Sequence, residues 1–212
     1  MNELEPVPGT DLLTPPGLRY VLELDNEKRI NRLSEDIWID HAAATEIIDH
    51  LHLLHKGKLN DNTYCPRNAL IVADGGVGKT VTVGQFADAY TESRDDEGMI
   101  KKPVLWSRAN TLGSLDNFYS DILKKYKPPG NPNRSSRYDQ FLSLMDNSGV
   151  ETLIVDELHE AQFAKPQERE QFVHQVCKHL PDELGIHIVA LGTPEAISLL
   201  AIDDQLFDRY DI

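Results

Sequence analysis

The chain has 212 residues, 40% of them apolar and 26% charged, which suits one α/β domain with a buried core plus a modest extension. That balance excludes a disordered, collagenous or coiled-coil chain, and no apolar run approaches the roughly 18–20 residues that span a bilayer. The formal net charge of −14, from 35 acidic and 21 basic residues, works against duplex DNA binding unless a local basic strip survives on the acidic body. The opening MNELEPVPGT lacks a basic start and an apolar stretch, so no signal peptide is expected and the setting should be cytoplasmic. Cys65 and Cys177 lie far apart, which argues against a disulfide framework or a cysteine zinc site.

Residues 1–33 begin Pro-rich and read as an arm, with one short ordered piece near Leu18–Leu24. Ser34 resembles an N-cap, and residues 34–212 read as the folded core. His41–His55 predicts a helix, because Ala44, Ile47, Ile48, Leu51 and Leu54 recur at the spacing of one helical face. Ala69–Ala73 is a short unalternating apolar run, as expected of a strand buried on both faces. A helical stretch to about Tyr90 follows. Further strands are predicted at Val104–Ser107, Thr152–Val155 and Ile186–Leu191, with helices near Leu115–Tyr126, Tyr138–Met145, Pro166–Leu180 and Pro194–Ala201. Strands alternating with helices predict a mostly parallel sheet with helices on both faces.

Ala73–Thr80 reads A-D-G-G-V-G-K-T, the Walker A pattern with its first glycine replaced. Asp74, Gly75, Gly76, Val77 and Gly78 would curl the backbone so that amides point at phosphates, with Val81 just beyond, and the helix dipole adds to the attraction. Lys79 would reach the β- and γ-phosphates of ATP, and the Thr80 hydroxyl would be a ligand for Mg²⁺. Ala73 should close the strand rather than touch phosphate, so its loss of glycine should be tolerated.

Thr152–Glu157 (TLIVDE) makes a Walker B element, with two acids at the carboxyl end of a strand where such sheets bind ligands. Asp156 would hold Mg²⁺, and Glu157 would orient the water that attacks the γ-phosphate. One complete strand–helix unit separates the two motifs, which leaves room for an extra strand between the Walker strands. Thr193 puts a hydroxyl at the end of the next strand, where it can contact the attacking water or cap the helix from Pro194. Arg209 reads either as an arginine finger for a neighbouring subunit or as the partner of Asp208 or Asp204. His52 and His55 share a helix face with no carboxylate to complete a metal site, and read as a packed or solvated pair. His159-Glu160 is followed by Phe163 where a zinc protease would have histidine, so Mg²⁺ is the only metal implied.

Trp38-Ile39, ALIVADGGVGKT, TLIVDELH, IVALGTPEA and DDQLFDRY together resemble the TniB/TnsC family, the AAA+ ATPases of transposons, over about Ser34–Tyr210. The resemblance implies an α/β AAA+ P-loop core. Its parallel five-stranded sheet, one strand of which is allowed to be short, is sandwiched by helices behind a helical N-terminal extension. It also implies that ATP drives assembly of a homo-oligomeric ring or filament on duplex DNA, which recruits a transposase and a target-selection protein and disassembles after hydrolysis.

By match of motif, Lys79 and Thr80 would bind nucleotide and Mg²⁺, Asp156 and Glu157 would be the Walker B pair, Thr193 the first sensor and Arg209 the finger. Trp38 and Ile39 fall where the adenine pocket begins, or are simply core. Lys101, Lys102, Arg108, Lys124, Lys125, Lys127, Arg134 and Arg137 either track a DNA backbone or are solvated surface. Besides Ala73, the departure from the family is that Ile212 follows closely on the finger region, so the C-terminal lid and its second sensor arginine are expected to be missing. A replication-loader-like or signalling switch acting on protein partners is the competing reading. A non-hydrolysing scaffold would have no need of Glu157.

Overall fold

The structure, a computed structural model, describes residues 24–32, 41–57, 67–98, 100–109, 114–126 and 136–212. The chain divides into two compact units, Met1–Glu46 and Ile47–Ile212. In the first, helix α1 (Asn26–Arg32) follows Asp25, whose carboxylate accepts from the Lys28 amide at 2.9 Å. That bond satisfies one of the donors a helix start leaves open, and it holds the Asp25 carboxyl below its ordinary range. At the start of α2 (Ala42–Gly57), His41 Nδ1 accepts from the Ala44 amide at 3.3 Å. The expected ordered piece at Leu18–Leu24 and the Ser34 cap fall almost wholly outside the described residues.

The second unit is built on a five-stranded parallel sheet of β1 (Asn68–Val72), β4 (Val104–Arg108), β5 (Thr152–Asp156), β6 (His187–Gly192) and β7 (Tyr210–Asp211). Their spatial order is β4-β5-β6-β1-β7, and every pairing is parallel. β6 therefore lies between β1 and β5, so one strand does separate the two motif-bearing strands; it follows both motifs in sequence, while β4, the strand within their spacing, lies at the sheet edge beyond β5. β7 is the short fifth strand. Sequence periodicity could not reveal it, since two residues make no pattern.

Parallel strands need both faces covered, and their side chains divide between two cores with a period of two. Leu153, Val155, Ile188 and Ala190 point into one core, filled by Phe118, Phe141, Phe172 and Leu180. Ile154, Val189 and Leu191 point into the other, filled by Leu51, Val83 and Phe86. Helices α4 (Leu115–Tyr126), α5 (Arg137–Asn147), α6 (Pro166–Val173) and α7 (Leu180–Leu184) supply the first layer; α3 (Lys79–Asp88) and the later turns of α2 supply the second. Leu51 is buried and Leu53 exposed, as the periodicity of α2 predicts.

The helix expected over Pro166–Leu180 is longer and interrupted. A wide π turn at His174–His179 joins α6 to α7, which ends at Gly185 in the left-handed conformation. A small antiparallel hairpin, β2 (Ser93–Arg94) with β3 (Ile100–Lys101), was not foreseen. His52 and His55 are packed: His52 Nδ1 is 2.9 Å from the Tyr90 hydroxyl, and buried His55 is 2.9 Å from the Thr152 hydroxyl. Among the described residues no helix is long and apolar enough to cross a membrane.

One close approach governs the end of β6. A Cβ added at Gly192 would meet the Ala196 Cβ, in α8 (Glu195–Leu200), at 2.6 Å. Overpacking of that kind costs about 1–3 kcal/mol. Gly192→Ala should therefore lower unfolding stability by that amount in urea titrations, whereas Gly84→Ala, facing open space in α3, should leave it unchanged or raised.

Candidate functional site

The loop after β1 is set by backbone geometry. The Ala73 amide donates to the Gly192 carbonyl at 3.3 Å, so Ala73 extends the β1–β6 ladder. That is why a side chain is accommodated where the loop pattern has glycine. Gly76 and Gly78 then take φ of 80° and 90°, where other residues are strained. Among the described residues, no backbone N–H from Asp74 to Val81 donates to a protein acceptor. The loop thus presents a run of uncommitted donors at the N-terminus of α3, the arrangement that attracts anions. Lys79 folds its ammonium over the same loop, donating to the Ala73 and Asp74 carbonyls at 2.6 and 2.8 Å. Val77 and Val81 stand exposed on its outer side.

The ends of β5 and β6 complete the same edge. The Thr80 hydroxyl donates to Asp156 Oδ2 at 3.3 Å, joining the two motifs across the intervening strand. Asp156 is buried, and its Oδ1 accepts from the Glu157 amide at 2.9 Å. Glu157 has φ 55°, the one left-handed non-glycine among the described residues, and opens a 3₁₀ turn over Leu158–Phe163. That turn aims its carboxylate between a guanidinium and an imidazole: Oε1 is 3.6 Å from Arg108 Nη2, and Oε2 is 3.4 Å from His159 Nδ1. Thr193 sits beside them, its amide donating to His159 Nδ1 at 3.4 Å. Its hydroxyl is buried with no hydrogen-bond partner among the described residues.

The family description "Bacterial TniB protein" matches residues 29–212. The chain belongs to the TniB family. Among solved structures, it matches Cdc6p from Pyrobaculum aerophilum at 18% identity and a TM-score of 0.52, covering 84% of this chain and 46% of that one. The ADP form of the Aeropyrum pernix ORC2 protein matches at 15% identity and a TM-score of 0.58, with 84% and 49% covered. The A. pernix ORC1 protein in complex with DNA matches at 12% identity and a TM-score of 0.52, with 82% and 44% covered. The chain spans about half the length of these proteins. At such identities the likeness speaks for the fold, that of an AAA+ core. No curated protein matches the chain.

Other residues singled out in this TniB-family sequence lie elsewhere or are already engaged. Arg209 is at the opposite edge of the sheet: its carbonyl accepts from the amide of Asn68, the first residue of β1, at 3.0 Å. The length of β1 therefore separates it from its own phosphate loop by about 15 Å at the usual rise of ~3.3 Å per residue. Its guanidinium bridges both oxygens of Asp182, at 2.7 and 2.8 Å, and not Asp204 or Asp208.

Those of the basic DNA-contact candidates that are described all have partners within the chain. Lys101 is 3.4 Å from Asp95, Lys102 is 3.9 Å from Glu92, and Lys124 is 3.1 Å from Asp121. Lys125 donates to the Trp106 carbonyl at 3.0 Å, and Arg137 pairs with Asp116. Trp38, Ile39, Lys127 and Arg134 lie outside the described residues. Cys177 is buried, which pushes its thiol up to about 12, as suits a packing residue.

Sequence reading missed Arg108 as a neighbour of Glu157, and it weighed His159 only as a zinc ligand. Among the described residues no cluster of three metal-ligating side chains exists. The position of His159 two residues beyond Glu157 was the available signal. Because the Arg209–Asp182 pair is partly open to solvent, Asp182→Asn should change unfolding stability by no more than about 1 kcal/mol in denaturant titrations.

Proposed function

We propose that this chain is the ATP-binding and hydrolysing core of a regulator of DNA transposition, behind an N-terminal arm at residues 1–33. One observation carries the reading: the Thr80–Asp156 hydrogen bond lies beside a loop whose backbone donors have no protein acceptors among the described residues. A triphosphate suits that loop, because anionic oxygens would take up the free N–H groups of Asp74–Val81. Lys79 would exchange two carbonyls for phosphate oxygens, a charge-assisted bond in place of a neutral one.

Thr80 and Asp156 are the oxygen donors that would hold Mg²⁺, a hard cation that takes one or two carboxylates beside phosphate. Bound there, Mg²⁺ supplies charge neutralisation at the β- and γ-phosphates. Glu157 orients a water whose oxygen bonds to the γ-phosphorus as the bond to ADP breaks, and the carboxylate accepts the proton released. To do so it must turn away from Arg108 and His159. Thr193 lies at the end of the adjacent strand, where it would meet the γ-phosphate or the water. Arg209, at the far edge of the sheet, can serve only the site of another subunit in a homo-oligomer, and only after leaving Asp182.

Family membership supports the further reading that ATP-driven assembly on duplex DNA recruits a transposase and a target-selection protein. A second reading, a switch that acts on protein partners without DNA, is favoured by one observation. The described basic candidates are paired within the chain, on a body of net charge −14.

Lys79→Ala should weaken binding of a fluorescent ATP analogue by about tenfold or more, the scale of a lost charged contact. Glu157→Gln should keep that binding within about threefold while turnover falls by about a hundredfold or more, as for loss of a general base. Unchanged turnover would remove Glu157 from that role. Electron microscopy with duplex DNA and a slowly hydrolysed ATP analogue should show rings or filaments at low salt. Protein that binds the analogue yet leaves the DNA bare would transfer the case to the protein-partner reading.

A further inference from the structure

His159 has a side chain only 15% exposed, and its Nδ1 faces two groups with opposite demands. The Thr193 amide, a donor, and Glu157 Oε2, an acceptor, are each 3.4 Å away. An imidazole nitrogen carries either a lone pair or a proton, so it satisfies one of these neighbours at a time. With a lone pair, Nδ1 accepts from Thr193 and repels the Glu157 carboxylate. With a proton, it holds Glu157 Oε2 and releases the Thr193 amide. The ring is neutral in both forms: one nitrogen gives its proton to water as the other takes one. Glu160 Oε1, 4.0 Å from Nε2, lies near the second nitrogen.

The surroundings restrict the ring to this exchange. The missing side chain of Gly192 leaves that position 3.7 Å from both the His159 amide and Nδ1, so the end of β6 abuts the imidazole. Leu158 and Ala161, in the same 3₁₀ turn, are completely buried and anchor the backbone that carries it. Glu157 itself is held in a left-handed conformation, and its other oxygen faces Arg108.

We infer that His159 is a positioning residue that couples the carboxylate of Glu157 to the Thr193 turn: each of the two is held only when the other is let go. Ligand contact at Thr193 that draws its amide from Nδ1 favours the Nδ1–H form. Restoration of the amide bond withdraws this hold and leaves Glu157 to Arg108. This deepens the proposed hydrolytic function and rests on it for its consequence, but the His159–Glu157 pairing can be tested without turnover.

The first arm uses the full chain labelled with ¹⁵N-histidine and no nucleotide, with the His159 ring signals assigned by their loss in His159→Asn. Glu157→Gln should shift the His159 Nδ1 resonance by several ppm and leave those of His52 and His55, on α2, in place. An unmoved Nδ1 resonance overturns the pairing. The second arm is steady-state ATP hydrolysis. His159→Leu should lower kcat by about tenfold to a hundredfold, the scale of a misplaced reacting group, with KM for ATP held within about twofold. His159→Asn, whose amide lies near the Nδ1 position, should recover to within about threefold of the wild type.

A raised KM with kcat preserved, or an Asn variant no better than Leu, overturns the positioning role. If His159→Leu does not fold, the comparison of Asn with Gln, whose amide reaches the Nε2 position instead, decides the same point. Wild-type protein without ATPase activity would defeat the hydrolytic reading while the resonance shift still judges the pairing.

Discussion

A threonine hydroxyl and a buried carboxylate, Thr80 and Asp156, meet at 3.3 Å across a strand that belongs to neither. Everything at this edge of the sheet depends on that juxtaposition, and β6 is what permits it. In a parallel sheet all carboxyl ends emerge on one side, so the loop after β1 and the acids after β5 face one another however far apart they are in sequence. Inserting β6 widens the gap by one strand spacing and brings Thr193 and Gly192 into it. The site is therefore a property of strand order, and the helices on both faces act mainly by keeping that order rigid.

Two kinds of constraint hold the edge in shape. The first is steric: Gly76 and Gly78 supply torsions that other residues avoid, and Gly192 allows α8 to approach the end of β6. The second is polar. Lys79 is satisfied by its own loop, Glu157 faces Arg108 and His159, and Arg209 is paired with Asp182. Lys79, Glu157 and Arg209, on which the hydrolytic reading relies, thus have contacts within the chain that they would exchange in order to act elsewhere. The exchange of one such polar contact for another needs little net energy.

The acidic balance of the chain acts in the same direction. Carboxylates near Lys101, Lys102, Lys124 and Arg137 neutralise positive groups that a polyanion would need. Contact with DNA, on the transposition reading, then entails exchanging internal carboxylates for phosphates, which makes it sensitive to salt. The π turn between α6 and α7 belongs to the opposite side of the account. Its lysine, Lys178, pairs with Asp203, whose carboxylate caps α9 (Asp204–Phe207) and is held below its ordinary range mainly by that lysine. This contact stiffens the segment leading to Arg209 and β7.

Much of the architecture was legible in the sequence because buried parallel strands leave a plain signature: short runs such as ALIV, TLIV and IVAL without alternation. The phosphate loop and the acidic pair were equally plain, since their spacing follows from backbone torsions and from the requirement that acids end a strand. The resemblance to a transposition family came from residues spread over about Ser34–Tyr210, and the family match covers residues 29–212. What sequence could not supply were the pairings between distant elements. Asp182 as the partner of Arg209, Arg108 beside Glu157, and the bifurcated position of His159 each depend on which strand lies next to which. The two-residue β7 also forms only because β1 offers it an open edge. Local chemistry decides which residues bend, cap or bury, and so a single strand of text reveals it. Contacts between groups tens of residues apart are decided by strand order and packing, and these exist only once the chain has folded.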